Sequence, residues 1–185
     1  ASAPDAYLEY CRYLGGFCGS ALDPQTIHAL RYDIAQDFLV HQVDYKPRAE
    51  EALRYLKDKG FRMAIATTTR RRNLDIYGSL NENILAKAPF AEYFYPIYSR
   101  EDVREIKPNP EVYLKALHYF GAAPAECLVF EDSLIGIEAA RRAGMEAVAM
   151  YDSYSDGDRA AIVDLATYTF DGYGEFLAAA RAELG

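Results

Sequence analysis

The chain has 185 residues, enough for one hydrophobic core and a small appendage. At 51% hydrophobic and 26% charged its balance is that of an ordinary globular protein, and no apolar run approaches the length of a membrane span. A formal net charge of −8 argues against nucleic acid or an acidic membrane as a general partner, while leaving room for a small anion wherever positive charge is supplied locally.

The start Ala1-Ser2-Ala3-Pro4-Asp5 has neither the basic nor the apolar region of a secretion signal. Cys11, Cys18 and Cys127 keep no metal or redox spacing, and their odd number reads as free thiols in a reducing compartment. A soluble, cytoplasmic protein, a monomer or weak homodimer, is expected.

Residues 1–45 read as all-helical. Pro4 to Leu14 carries Tyr7, Leu8, Cys11 and Leu14 along one stripe and should close at Gly15-Gly16. Asp23-Pro24 is a cap followed by a first-turn proline, opening a helix to about Val40 with Ile27, Leu30, Ile34 and Phe38 at helical spacing.

From Pro47 onward helices and strands alternate. Pro47 to Lys59 is an amphipathic helix stopped at Gly60, and Phe61 to Ala66 a short strand ending on Thr67-Thr68-Thr69. Helical pieces follow around a Gly78-Ser79 break, then a strand over Tyr93 to Tyr98 and a helix over Pro110 to Phe120, with Asn109 as its cap. Glu126 to Phe130 is a strand, Ser133 to Ala143 a helix, Ala147 to Met150 and Tyr168 to Phe170 strands, and Tyr173 to Leu184 a closing helix. This alternation predicts an α/β fold, a doubly wound (Rossmann-like) parallel sheet with helices on both faces. The expected division is 1–45 and 46–185.

Three features lie at the carboxyl ends of strands or in the loops beside them, where open α/β sheets bind ligands. Thr67 offers a hydroxyl, and Thr68 a free backbone N–H, ahead of a helix start, a combination that can hold phosphate oxygens or simply cap the helix. Lys107 sits in Lys107-Pro108-Asn109-Pro110, whose two prolines stiffen the loop and fix where the ammonium points. Glu131 and Asp132 are adjacent carboxylates at the end of an apolar strand, costly to place there without a cation or proton. Hard oxygen donors of this kind suit Mg²⁺, whereas a helix N-terminus decorated with acids would account for Asp132 but not for Glu131.

In their order, Thr67, then Lys107-Pro108 forty positions on, then Glu131-Asp132 followed by Gly136 and Ala143-Gly144-Met145, these residues resemble the second, third and fourth motifs of the haloacid dehalogenase superfamily. The resemblance runs from residue 47 to the end and is greatest to the branch with β-phosphoglucomutase and small sugar-phosphate phosphatases. It implies that residues 1–45 are part of a helical cap. It further implies that Thr67 and the Thr68 backbone hold a transferring phosphate, that Lys107 balances its charge, and that Asp132 with Glu131 holds Mg²⁺.

The family's first motif, an Asp-x-Asp pair ending the central strand, has no counterpart upstream of Thr67. Asp5, Asp23, Asp33, Asp37, Asp44 and Asp58 include no two that stand two positions apart, and Asp156-Gly157-Asp158 falls in a polar stretch after the fourth motif. The resemblance therefore implies a nucleophile and a first strand in an N-terminal segment outside these residues. The expected function is a Mg²⁺-dependent phosphatase on a small phosphorylated metabolite, acting through an aspartyl-phosphate. A sugar phosphomutase and a truncated or inactive domain are the alternatives.

Overall fold

A computed structural model describes residues 3–185. Two compact units divide the chain, one up to Val43 and one from Asp44 on.

The first unit is a pair of helices, α1 (Ala3–Phe17) and α2 (Pro24–His41). Asp23 caps α2 with Oδ1 accepting from the Gln25 and Thr26 amides at 3.0 Å, and Pro24 occupies the first turn, where its missing N–H costs nothing. α1 does not stop at Gly15-Gly16 but runs through both. The reason at Gly15 is space, since a Cβ there would lie 2.8 Å from Ile27 Cδ1, so glycine lets the helices meet closely. Cys11 is fully buried, whereas Leu30, Ile34 and Phe38 of the α2 stripe are exposed.

The second unit carries five strands, β1 (Met63–Ala66), β2 (Phe94–Tyr98), β3 (Leu128–Glu131), β4 (Glu146–Met150) and β5 (Tyr168–Phe170). Its helices are α3 (Ala49–Asp58), α4 (Arg71–Ser79), α5 (Glu82–Lys87), α6 (Phe90–Tyr93), α7 (Glu111–Phe120), α8 (Leu134–Arg142), α9 (Arg159–Leu165) and α10 (Tyr173–Leu184). Every strand pairing is parallel, so each return is a crossover containing helix. The strands form two groups rather than one continuous sheet. β1 pairs with β2 (Ala66 opposite Tyr98), and β3–β4–β5 make a second sheet with Glu131 opposite Ala149 and Met150 opposite Phe170. Among the described residues no strand pairs with the other edge of β1 or of β3.

Side chains of β3 alternate between two cores, as a pleated strand requires. Val129 joins Ala147, Ala149, Ile137 and Tyr113 in a cluster with α7, α8 and α9, while Phe130 packs with Phe170, Phe176, Leu177 and Ala52 against α3 and α10. Small residues of α8 (Ala139, Ala140) let it lie close to the sheet. The helices thus cover both faces.

Local departures from the sequence reading have local causes. α4 continues through Gly78-Ser79, and the break comes at Leu80-Asn81, where buried Asn81 caps α5 by accepting from the Ile84 amide at 2.8 Å. Asp156-Gly157-Asp158 lies in a 3-10 turn that leads into α9, a helix the periodicity did not single out.

Candidate active site

Thr67, Thr68, Lys107, Glu131 and Asp132 all line one cavity of about 330 Å³ at the carboxyl ends of β1 and β3. The strand ends bring them there. Thr67 leaves β1 with its amide donating to Tyr98 O (3.0 Å), and its hydroxyl accepts from the Thr69 amide at 3.1 Å and contacts Thr69 Oγ1 at 3.0 Å. It caps this turn rather than α4, whose N-terminal Arg71 amide is instead taken by Glu101 at 2.8 Å.

Lys107 is no solvated surface lysine. It is 7% exposed, donates to Ala66 O at the end of β1 (2.9 Å) and ion-pairs with Glu131 Oε1 at the end of β3. One ammonium therefore bridges the two strand groups. Glu131 also accepts from the Tyr113 hydroxyl (Oε1, 2.5 Å) and lies 3.2 Å from Ser133 Oγ (Oε2). Gly136 makes this possible, because a Cβ there would stand 2.1 Å from the Glu131 carboxyl carbon. Ser133 caps α8 by accepting from the Gly136 amide at 3.3 Å. Burial raises the Tyr113 phenol well above its ordinary pKa, and the Glu131 charge raises it further, so it stays protonated and a donor.

Asp132 carries no comparable set of partners. Protein atoms crowd it although its side chain reaches solvent, and that desolvation raises its carboxyl above the usual range; the Glu131 and Asp152 charges add to the rise and Lys46 opposes it. A carboxylate held at such cost attracts a cation. Mg²⁺ commonly takes one or two carboxylates with water and substrate phosphate completing its shell. The donors present fit it in that sparse way, with Asp132 open to the cavity and Glu131 beside it but already engaged. Among the described residues no group of three His, Cys, Asp or Glu forms a fuller cage.

Two residues of the site went unnoticed in the sequence. Lys46 lines the cavity and is held by Asp152 Oδ2 (2.6 Å) and Tyr151 O (3.1 Å). The signal was there, since Lys46-Pro47 repeats the Lys107-Pro108 pattern. Tyr113, hidden among the apolar residues of α7, had none beyond its position on the inward face.

The model of the haloacid dehalogenase-like hydrolases matches residues 13–150. The chain belongs to that family. It is 41% identical over 117 residues to protein CbbY of Rhodobacter capsulatus, which covers 63% of this chain and 50% of CbbY. A phosphorylated carbohydrates phosphatase of Thermotoga maritima is 35% identical over 112 residues, 60% of this chain and 49% of that protein. Crystalline CbbY from Rhodobacter sphaeroides in complex with xylulose-(1,5)bisphosphate superimposes with a TM-score of 0.68 at 26% identity, covering 84% of this chain and 67% of that one. This haloacid dehalogenase-like chain spans about half the length of the curated relatives it matches. No helix among the described residues is long and apolar enough to cross a membrane.

Proposed function

We propose that the protein is a Mg²⁺-dependent phosphatase acting on a small phosphorylated metabolite in the cytoplasm. The observation that carries this reading is the convergence of Thr67, Lys107 and Asp132 on one cavity at the carboxyl ends of two parallel strands. The matched relatives support it, one being named a phosphorylated carbohydrates phosphatase and another having been crystallised with a sugar bisphosphate.

In this reading the Thr67 hydroxyl and the Thr68 backbone hold phosphoryl oxygens, and Lys107 places its charge beside them. Glu131 keeps Lys107 in place, and Asp132 holds the metal. Bound Mg²⁺ would supply charge neutralisation on the transferring group. Water is the final acceptor, after transfer to an aspartate carried on a segment outside these residues. The unpaired edges of β1 and β3, on either side of the cavity, are where a strand bearing that aspartate would be accommodated. Residues 1–45 are, on the same reading, part of a helical cap.

Release of phosphate from a generic phosphomonoester tests the reading, with Mg²⁺ and with a chelator, in the 185-residue chain and in the same chain supplemented with upstream coding sequence. Metal-dependent hydrolysis that Asp132→Asn abolishes supports it. Absence of hydrolysis from both forms overturns it in favour of an inactive domain, and conversion of one sugar phosphate isomer to another favours a mutase.

A further inference from the structure

We infer that Tyr113 is the positioning residue that sets the catalytic lysine, acting on Lys107 both directly and through Glu131. This rests on the phosphotransfer reading for its purpose, but not for its geometry.

Tyr113 is 4% exposed on the inward face of α7, in the first turn of the helix that follows the Lys107 loop. Its hydroxyl donates to Glu131 Oε1 at 2.5 Å, the same oxygen that takes the Lys107 ammonium. Its ring centroid lies 4.8 Å from Lys107 Nζ, within the range in which an aromatic face attracts a cation, and the attraction is strongest where, as here, water is largely excluded. One side chain therefore fixes both members of the ion pair. Glu131 alone would leave the ammonium free to swing about a single carboxylate oxygen. The ring closes one side and the Ala66 carbonyl another at 2.9 Å, while Gly136, having no Cβ, leaves the carboxylate the space it occupies. A phenylalanine would fill the same core volume, so packing does not explain the hydroxyl. Its cost of burial is met by the Glu131 bond.

The test is Tyr113→Phe in the 185-residue chain, read by the NMR signal of the Lys107 ammonium nitrogen (assigned with Lys107→Met) and by titration with inorganic phosphate. A positioning role predicts that the Lys107 signal shifts and its protons exchange faster with water, and that the Kd for phosphate rises by about three- to tenfold, the scale of one ordinary hydrogen bond. Tyr113→Leu, which also removes the ring, should move the signal further. An unchanged Lys107 signal in Tyr113→Phe overturns the inference, even if the chain melts at lower temperature. A shifted signal with phosphate affinity unaltered overturns it as well. If the unmodified chain binds no phosphate but the signal moves, the hold on Lys107 stands and it is the phosphotransfer reading that fails.

Discussion

β4 and β1 are both short, apolar and parallel, yet they sit in different surroundings. β4 is paired on both edges, and Ala147, Val148, Ala149 and Met150 are all buried. Among the described residues β1 is paired on one edge only, and Met63, Ala64, Ile65 and Ala66 are each only partly buried. A strand of a parallel sheet is built to be covered on both faces and bonded on both edges. The β3–β4–β5 group meets that condition at β4, and the β1–β2 group does not meet it anywhere. The cavity with Thr67, Lys107 and Asp132 lies where the two groups face each other, so the site is assembled from a well-supported half and a poorly supported one.

Lys107 is the side chain that ties the halves, and breaking it should have the largest effect. Lys107→Met leaves Glu131 buried without its cation, a loss of about 3–5 kcal/mol in urea unfolding followed by circular dichroism. Glu131→Gln in the same chain should restore most of it, because the penalty lies in the unpaired charge. A loss below about 1 kcal/mol in the single variant would mean that the bridge does not hold the halves together. Gly136→Ala comes next. Its Cβ would collide with the Glu131 carboxylate, and the usual gain of about 1 kcal/mol for alanine over glycine within a helix is outweighed by displacing a carboxylate that three donors hold. The net cost should be about 1–3 kcal/mol, with the Lys107 ammonium signal altered as in Tyr113→Phe.

Much of this was legible in the sequence, and the limits are instructive. The alternation of helix and strand and the Asp23-Pro24 cap follow from local chemistry that each segment carries by itself, whereas the grouping of Thr67, Lys107, Glu131 and Asp132 comes from the order in which they resemble the family's motifs. What the sequence could not convey is reciprocal. That Lys107 is buried depends on Glu131, twenty-four positions away, and on a hydroxyl in α7; neither segment alone announces it. Likewise Gly15-Gly16 reads as a helix stop until Ile27 is seen to need the space at Gly15. The resolution of the strands into two groups was visible only as the lack of an Asp-x-Asp strand upstream of Thr67.

The contrast between the strand groups can be sharpened with one substitution made twice. Ile137→Ala, at a fully buried position in the core beside β3 and β4, should cost about 3–4 kcal/mol, whereas Ile65→Ala in half-buried β1 should cost about 1–2 kcal/mol. Amide hydrogen exchange should separate the groups without mutation, with β4 amides protected to a greater free energy than those of β1. Equal costs and equal protection would show that the unpaired edge of β1 does not weaken it.

The smallest expected effect concerns how the β1–β2 half compensates. Asp102, just past β2, accepts from the Ser99 amide (2.7 Å) and hydroxyl (2.6 Å) and pairs with Arg71 of α4 at 2.5 Å, while Arg71 also donates to Ile97 O in β2 at 2.9 Å. Burial alone would raise the Asp102 carboxyl, but the Ser99 bonds and the Arg71 charge together hold it below its ordinary value. A carboxyl whose folded pKa is lowered adds stability above its unfolded pKa, and that contribution fades as pH falls through the lowered value. Asp102→Asn should therefore cost about 1 kcal/mol at neutral pH, solvent screening of the partly exposed Arg71 keeping it small, and almost nothing in strongly acid solution. The two unfolding curves, measured from neutral to acid pH, should converge. If they stay parallel, the Asp102 charge does not hold α4 to the end of β2, and the β1–β2 half rests on its strand pairing and packing alone.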